Sequence, residues 1–278
     1  MNRIELIDSI KRFLDEDGPG GDLTSEAIFN AHQMGKARFI AKESFIGAGL
    51  QMVAGEVFHL CNPAVRCSGV EDGTEIKPND VIFTADGPVL DLLLAERVAL
   101  NLVQRMSGIA TLTRRFVDRV TPLPVKIVDT RKTTPGLRML EKYAVRVGGG
   151  FNHRFTLSDG ILIKDNHIAA CGSIEKAVGR VRKQAPHTLK IEVEAETMEQ
   201  VEECLAAGVD IIMLDNMSPE LMRLAVRLVN GKALLEASGG INLENVRTAA
   251  ETGVNLISIG ALTHSAPACD ISMELETA

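Results

Sequence analysis

Short apolar runs alternate with helical patterns along the second half of the chain. The apolar runs cover residues 125–128, 161–163, 189–193, 210–214, 233–235 and 256–259. Patterns with a helical period lie between the later runs, at 173–183, 197–207, 219–229 and 243–252. Strands that are apolar throughout are usually buried on both faces of a sheet, and their alternation with helices is typical of parallel sheets. The second half is therefore predicted to consist of repeated strand–helix units.

Residues 1 to about 106 show a different pattern, in which helix signals mix with antiparallel strand signals. An amphipathic helix opens the chain and is followed by the Gly-Pro-Gly-Gly sequence of residues 18–21. Strand patterns follow at 37–41 and 81–83, and a helical pattern covers 90–106. We therefore predict two domains, one over residues 1–109 and one over 110–267.

Polar residues or glycines end almost every strand candidate of the second domain. These strand ends are Asp129 to Lys132, Lys164 to His167, Glu194, Asp215-Asn216, Ser238 to Gly240, and Gly260 leading to His264. A doubly wound sheet takes its site from the loops beside one switch point, whereas a barrel brings all strand carboxyl ends to one rim. Six contributing strands favour the α/β barrel. Residues 110–267 are few for eight strand–helix units, which typically take ~250 residues, so we expect an incomplete barrel.

Positive charge is concentrated at these strand ends. From Arg131 to His167, seven basic and three acidic residues give a local charge of +4, whereas the whole chain carries −7. A small, highly anionic ligand fits this pattern better than a long polyanion. Nucleic-acid binders often stack bases on aromatic side chains, and this chain has no Trp and one Tyr. We therefore expect small-molecule substrates and no nucleic-acid partner.

The remaining composition favours a cytoplasmic protein. The first 13 residues include Glu5 and Asp8 and do not resemble a signal peptide. No apolar run approaches the ~18 residues that a membrane span needs, so we expect no membrane partner. The five cysteines are odd in number, widely spaced and without a Cys-x-x-Cys pair. This pattern is typical of unpaired thiols in a reducing compartment.

Three basic residues next to glycine-rich loops are candidates for binding carboxylate or phosphate groups. They are Arg131, Arg154 and Lys164. A guanidinium can donate two parallel hydrogen bonds to such an anion, and an ammonium supplies a point charge. A lone arginine is more often a solvated surface charge, but the flanking glycines favour the functional interpretation here.

Other basic residues lie on helical patterns. Arg138, Lys142 and Arg146 recur every four residues, and we expect this stripe to face solvent. The Glu96-Arg97 pair lies on a helix rich in Leu and Ala, where an arginine needs a partner. Arg97 could pair within the fold or reach a neighbouring subunit.

Acidic residues lie close to the basic strand ends. Glu192 and Glu194 are two apart in a strand and therefore point the same way, and Asp215 ends the next strand. Such carboxylates could bind sugar hydroxyls, hold a metal or pair with Lys164. We favour sugar binding for Glu194 and Asp215 and structural pairing for Glu192.

Glycine turns and histidines complete the candidate site. The turns Ser238-Gly239-Gly240 and Ile259-Gly260-Ala261 follow the last two strands, where barrels commonly bind phosphate through backbone N–H groups. His153, His167 and His264 lie near the strand ends, but no spacing resembles a zinc site, so we expect no metal centre. His153 could bind a carboxylate or be a structural histidine.

These residues together closely resemble the quinolinate phosphoribosyltransferase family. The matching segments span essentially the whole chain and cover residues 21–24, 96–111, 129–136, 142–146, 148–154, 162–168, 214–216, 238–240 and 260–263. One departure is Thr156, where the family usually has glycine. The resemblance implies an N-terminal open-faced α/β sandwich domain over 1–109, joined by a tail at 268–278. It implies an incomplete, seven-stranded α/β barrel over 110–267.

The resemblance also implies an activity and a set of binding residues. The activity is transfer of a phosphoribosyl group from phosphoribosyl pyrophosphate to quinolinate with decarboxylation, giving nicotinate mononucleotide, pyrophosphate and CO₂ in NAD biosynthesis. The residues that would bind quinolinate are Arg97, Arg131, His153, Arg154 and Lys164. Those that would bind phosphoribosyl pyrophosphate are Thr130, Lys132, Glu194, Asp215, Ser238, Gly239, Gly240, Ile259, Gly260, Ala261 and His264. Catalytic roles fall to Lys132, Lys164, Glu194 and Asp215.

Two further expectations come from the resemblance. Mg²⁺ would arrive on the pyrophosphate group of the substrate and not in a protein metal site. The protein would be a homodimer in which Arg97 reaches the site of the neighbouring subunit, with higher oligomers left open.

Three other functions stay open from the residues themselves. Lys164 at a strand end with acids nearby could form a Schiff base in an aldolase-like reaction. Thr156 leaves open a relative with a different nitrogenous acceptor, such as one linked to molybdate use. A non-catalytic phosphosugar-binding module is the third.

Overall fold

The computed structural model describes residues 1–277, which fall into two compact units. Unit 1 comprises residues 1–114, 134–149 and those from Ser265 onward, and unit 2 comprises Arg115–Thr133 and Gly150–His264. The sequence-based division instead changes domain at residue 110 and assigns residues 134–149 to the barrel. Residue 278 of the expected tail lies outside the described residues.

A four-stranded antiparallel sheet forms the centre of unit 1. The strands of this unit are β1 (Met34–Ala41), β2 (Phe45–Ile46), β3 (Arg66–Gly69), β4 (Glu75–Ile76), β5 (Val81–Pro88) and β12 (Ile271–Thr277). The sheet order is β12-β1-β5-β3, and β2 pairs separately with β4. Phe39 lies opposite Phe83 in the register of β1 and β5, and the two ring centroids are 5.1 Å apart. The C-terminal strand thus adds to the edge of a sheet built from the first part of the chain.

The helices of unit 1 cover this sheet and its flanks. They are α1 (Arg3–Asp17), α2 (Leu23–Ile28), a short π-helix (Leu50–Ala54), α3 (Gly55–Cys61), α4 (Val89–Val120), whose last turns belong to unit 2, and α5 (Arg138–Val147). Asp22 caps the start of α2, because its side chain accepts hydrogen bonds from the backbone N–H groups of Thr24 and Ser25. Phe58 of α3 packs against Phe83, with ring centroids 5.5 Å apart.

Six parallel strands form the sheet of unit 2. They are β6 (Lys126–Val128), β7 (Ile161–Ile163), β8 (Ile191–Ala195), β9 (Ile211–Asp215), β10 (Leu234–Ser238) and β11 (Leu256–Ser258). Their order is β6-β11-β10-β9-β8-β7. Phe151 adds a single parallel bridge to Val128 of β6. The prediction of a parallel sheet from the apolar runs is confirmed, and the carboxyl ends of all six strands lie along one edge.

The helices of unit 2 lie between or after these strands. They are α6 (Asp165–Cys171), α7 (Ile174–Gln184), α8 (Met198–Ala207), α9 (Pro219–Val229), α10 (Val246–Ala250) and α11 (Ala261–His264). Local sequence explains several boundaries. Thr197 and Gln200 form a capping box at the start of α8, and Ser218 caps α9, in which Pro219 is the first residue.

The predicted solvent-facing stripe on α5 is wrong for Lys142. This side chain is fully buried, whereas Arg146 is exposed. The reason is that α5 packs within unit 1, where Arg105 pairs with Glu141 at 2.6 Å and Tyr143 donates a 2.7 Å hydrogen bond to Asp72. Contacts on both sides of the helix therefore bury more of its circumference than the sequence pattern predicts.

Within residues 1–277, none of the helices combines the length and the hydrophobicity that a membrane span requires.

Candidate active site

A cavity of about 610 Å³ lies at the carboxyl ends of the strands of unit 2. We call it the site cavity. It is lined by Thr130, Arg131, Lys132, His153, Arg154, Leu162, Lys164, Glu194, Met213, Asp215, Asn216, Glu236, Ser238, Gly239, Gly240 and Ser258. The three basic residues singled out from the sequence therefore meet in one place, together with both acids that were assigned to sugar binding.

Protein contacts hold two of the basic side chains in the site cavity. Nη1 of Arg154 donates a 2.9 Å hydrogen bond to the carbonyl oxygen of Gly160, and Nζ of Lys164 lies 2.5 Å from Oε2 of Glu194. Burial lowers the pKa of Arg154, and the nearby Arg131 guanidinium lowers this pKa further. Two cations held this close would be stabilised by an anionic ligand with two negative groups.

Asp129, at the end of β6, forms hydrogen bonds to the segment that carries His153 and Arg154. The sequence analysis did not predict this role. The fully buried carboxylate of Asp129 accepts hydrogen bonds from the backbone N–H of His153 at 2.8 Å and from Nδ2 of Asn152 at 2.6 Å. It thereby fixes the segment that leads to Arg154. The available signal was an aspartate that directly follows an apolar strand.

His153 makes hydrogen bonds to the protein through both ring nitrogens. The backbone N–H of Arg154 donates to Nδ1 at 2.8 Å, so Nδ1 carries no proton and Nε2 carries the ring hydrogen. Nε2 then donates to Oε2 of Glu192 at 3.0 Å, and Oε1 of Glu236 lies 4.0 Å from the same nitrogen. Quinolinate binding by His153 stays a prediction.

Glu236 is a site residue that the sequence analysis missed. It lies within β10, is 1 % exposed and also lines the site cavity. Burial and the neighbouring Glu192 raise the pKa of its carboxyl group to about 7. The possible signal was a glutamate inside an otherwise apolar strand.

Thr156 fits a loop that Asp159 closes. Its hydroxyl hydrogen-bonds Oδ1 of Asp159 at 2.9 Å, and Oδ2 of Asp159 accepts the backbone N–H groups of Phe155 and Thr156. Thr156 is not among the described residues that have a positive φ, so its backbone conformation does not require glycine in this chain. The closed loop ends at Gly160, whose carbonyl oxygen accepts the hydrogen bond from Arg154.

The turn after β10 packs directly against the end of β9. The Nδ2 of Asn216 donates a 2.7 Å hydrogen bond to Oδ2 of Asp215. Gly239 has φ +90°, and a Cβ there would lie 2.2 Å from Oδ1 of Asn216. Glycine is therefore required at position 239 for this close approach.

Lys132 is held by the turn after β11. The hydroxyl of Thr263 donates a 2.8 Å hydrogen bond to the carbonyl oxygen of Lys132. A Cβ on Gly260 would lie 3.0 Å from Cδ of Lys132 and 3.2 Å from Nε2 of His264. The structure thus brings Gly260 and His264 next to Lys132, although neither they nor Ile259 and Ala261 line the site cavity. Thr263 is a further residue that the sequence analysis missed.

Arg97 lies in unit 1, on α4. Its side chain is 57 % exposed and lies 3.6 Å from Glu96. Its predicted contact with quinolinate stays a prediction.

One group of side chains in residues 1–277 has the residue types of a metal site. It consists of His153, Glu192 and Glu236, whose candidate ligand atoms lie within 4.8 Å of one another. Within this group, Nε2 of His153 and Oε2 of Glu192 share the 3.0 Å hydrogen bond described above. We refer to these three side chains as the buried cluster.

Comparison with known proteins gives matches over nearly the whole chain. Residues 22–107 match the family described as quinolinate phosphoribosyl transferase, N-terminal domain, and residues 109–274 match its C-terminal domain. A probable nicotinate-nucleotide pyrophosphorylase [carboxylating] of Bacillus subtilis is 50 % identical, covering 99 % of this chain and 95 % of that protein. The corresponding enzyme of Mycobacterium leprae is 44 % identical, covering 96 % of each chain.

Solved structures of similarly named proteins also match this chain over nearly its whole length. NadC from Streptococcus pyogenes has a TM-score of 0.96 and 43 % identity, covering 100 % of this chain and 99 % of that one. The nicotinate-nucleotide pyrophosphorylase from Francisella tularensis has a TM-score of 0.94 and 37 % identity, covering 99 % and 98 %.

Proposed function

The chain belongs to the quinolinate phosphoribosyltransferase family, and we propose that its site cavity carries out that family's reaction. The enzyme transfers the phosphoribosyl group of phosphoribosyl pyrophosphate to quinolinate, with loss of CO₂, and forms nicotinate mononucleotide for NAD biosynthesis. The observation that carries the assignment of the site is the meeting of Arg131, Arg154 and Lys164 with Glu194 and Asp215 in one cavity.

In this proposal the basic side chains bind the two carboxylates of quinolinate. Arg131 and Arg154 have the planar guanidinium groups that suit carboxylates, and Lys164 adds a third positive charge. His153 lies beside them, and Arg97 would come from the neighbouring subunit. The support for this arrangement is the pair of adjacent arginines, whose mutual repulsion an anion would relieve.

Phosphoribosyl pyrophosphate would occupy the other side of the cavity. Glu194 and Asp215 would accept hydrogen bonds from the ribose hydroxyls. The backbone N–H groups of the two glycine turns, with Thr130, Lys132 and His264, would bind the phosphate groups. Mg²⁺ enters as part of the phosphoribosyl pyrophosphate complex and offsets its negative charge.

Electrostatic stabilisation and positioning then account for the chemistry. Departure of pyrophosphate leaves positive charge on the ribose, which Glu194 and Asp215 stabilise, while Lys132 stabilises the leaving group. Attack by the pyridine nitrogen makes that nitrogen cationic. The cationic ring then accepts the electron pair left by the departing 2-carboxylate. Holding the two substrates in contact supplies a large part of the rate enhancement.

The finer architecture is also part of the proposal. The six strands of unit 2 and the bridge at Phe151 support an incomplete, seven-stranded barrel. The antiparallel sheet of unit 1 supports an open-faced sandwich. The cytoplasmic location stays a prediction from the cysteine pattern.

The function is tested by incubating the protein with phosphoribosyl pyrophosphate and either quinolinate or nicotinate. We expect nicotinate mononucleotide and CO₂ with quinolinate only. Product formation from nicotinate, or no reaction with quinolinate, would contradict the assignment. Borohydride trapping of a carbonyl substrate on Lys164 would instead support the aldolase-like alternative.

The shared site of the proposed homodimer is tested by complementation. Arg97→Ala and Lys164→Ala should each be inactive, because each removes a charge from every site. A subunit-exchanged mixture should regain up to about a quarter of the wild-type activity. This value follows because half of the dimers are then mixed, and each has one intact site out of two. No recovery in mixtures that demonstrably exchange subunits would count against Arg97 acting across the interface.

A further inference from the structure

Two buried carboxylates lie below the basic side chains of the site cavity. Glu192 and Glu236 are 4 % and 1 % exposed and come from β8 and β10. Glu192 is paired in register with Leu162 in the middle of β7, so it lies deeper than Glu194 at the strand end. In each glutamate, Oε1 is buried and has no hydrogen-bond partner within residues 1–277. Two such carboxylates this close together are costly when both are charged, so one of them is expected to hold a proton.

Glu236 is the acid that fits the protonated state. Glu192 already accepts the hydrogen bond from Nε2 of His153, whereas Oε1 of Glu236 is 4.0 Å from that nitrogen. Burial and the adjacent Glu192 raise the pKa of Glu236 to about 7, and Asp129 contributes in the same direction. His153 and the Ser258 hydroxyl oppose this rise.

Glu236 also lies where two cavities meet. It lines the site cavity above and a second cavity of about 470 Å³, which we call the lower cavity. The lower cavity is lined by the first residues of several strands, including Lys126 of β6 and Ile211 of β9, and it reaches the exposed Lys190. It therefore extends toward the opposite end of the parallel sheet. A proton on Glu236 could therefore face a substrate in the site cavity and exchange with solvent through the lower cavity.

We propose that Glu236 supplies the proton that replaces the departing carboxylate of quinolinate. This inference rests on the function proposed above. When the bond between C2 and its carboxylate breaks, CO₂ leaves and the electron pair stays on C2, next to the cationic ring nitrogen. The O–H bond of Glu236 then breaks, its proton forms the new C2–H bond, and Glu236 is left as a carboxylate. A proton taken up from bulk solvent through the lower cavity restores the acid for the next turnover, so the reaction consumes one solvent proton for each CO₂ released.

His153 and Glu192 are positioning residues in this step. Glu192 accepts the ring N–H of His153 and remains charged, which favours the proton on Glu236. Glu192→Gln removes this charge but leaves the proposed donor in place, so it serves as a matched control when both proteins are compared at a pH low enough to keep Glu236 protonated.

The test measures which group protonates C2. Nicotinate mononucleotide is made in an equal mixture of H₂O and D₂O, and the deuterium fraction at C2 is read by NMR. This fraction depends on the proton donor and not on the step that limits the overall rate. We expect wild-type enzyme and Glu192→Gln to give the same fraction. Glu236→Gln should give a different fraction and a kcat lower by about 10²-fold, as is typical for loss of an acid–base group.

The pH profile supplies a second readout. The donor must be protonated, so the wild-type kcat should fall as pH rises through about 7, and Glu236→Gln should lack this fall. Glu236→Asp, which keeps the acid but shortens it, serves if the glutamine variant does not fold.

Three outcomes would overturn the inference. One is an unchanged deuterium fraction in the Glu236 variant, and another is a shift of equal size in Glu192→Gln. The third is a stoichiometric metal in wild-type protein that the Glu236 variant loses, since it would assign the cluster to metal binding. Absence of CO₂ release by the wild-type enzyme would instead refute the proposed function itself.

Discussion

Gly239 and Gly240 are adjacent in the candidate phosphate-binding turn. We predict that replacing each with alanine lowers the free energy of unfolding by a different amount. Gly239 and Gly240 both have positive φ, +90° and +62°. A Cβ on Gly239 would lie 2.2 Å from Oδ1 of Asn216, whereas a Cβ on Gly240 would meet nothing within 4 Å. The loss of stability in Gly240→Ala should therefore come from the backbone conformation alone. In Gly239→Ala the steric clash with Asn216 should add to that loss.

The magnitudes follow from these contacts. Placing alanine in the left-handed region costs about 1–2 kcal/mol, which is the expected loss in the free energy of unfolding for Gly240→Ala. In Gly239→Ala, Asn216 must also move, and its 2.7 Å hydrogen bond to Asp215 is lost. An exposed hydrogen bond of this kind contributes about 1 kcal/mol, and the steric clash adds to its loss, so Gly239→Ala should lose at least about 1 kcal/mol more than Gly240→Ala.

Urea unfolding followed by circular dichroism measures the difference in stability, and initial rates give the KM for phosphoribosyl pyrophosphate. We expect the KM to rise more in Gly239→Ala, because Asp215 loses the amide that orients it. Equal losses of stability in the two variants would refute the steric argument. An unchanged KM in both would count against the turn as a phosphate-binding element.

Two further substitutions test the quinolinate side of the cavity. Arg131→Lys keeps the charge but loses the planar fork, so the KM for quinolinate should rise about tenfold, equivalent to about 1.4 kcal/mol, while the KM for phosphoribosyl pyrophosphate stays the same. An unchanged KM for quinolinate would argue against Arg131 as a carboxylate ligand. Thr156→Val removes the hydroxyl that bonds Asp159 and should raise the same KM about two- to tenfold, corresponding to the ~0.5–1.5 kcal/mol of one hydrogen bond. Thr156→Ser should behave as wild type, and a valine variant with wild-type kinetics would show that the loop does not orient Arg154.

The strands of unit 2 could be predicted because their signal is local. Each buried parallel strand is a short apolar run, and all six predicted runs coincide with strands. The prediction stopped at residue 235 in β10, whereas the strand continues to Ser238, because the charged Glu236 interrupts the apolar pattern. Helix α4 likewise extends to Val120, well beyond the predicted residue 106, through a Ser-Gly pair that the pattern treated as an end.

The site was predictable only in part, for a related reason. Arg131, Arg154 and Lys164 stood out because glycines and polar strand ends mark them locally. The roles of Asp129, Glu236 and Thr263 depend on contacts between distant segments, such as the hydrogen bond from Thr263 to Lys132, 131 residues apart. No pattern along the chain records such contacts.

The site cavity has basic side chains near the strand ends and buried acidic side chains below them. This arrangement explains why a ligand with two negative charges would suit it. Burial and Arg131 disfavour the charge on Arg154, while Glu192 favours it from below. The protein thus holds its cations together before any ligand arrives, at a cost that the buried acid only partly offsets. A ligand with one carboxylate can neutralise only one of the two neighbouring guanidinium groups, whereas the two adjacent carboxylates of quinolinate can neutralise both. If the site binds quinolinate as proposed, the same geometry should disfavour nicotinate, which lacks the carboxylate that the reaction removes.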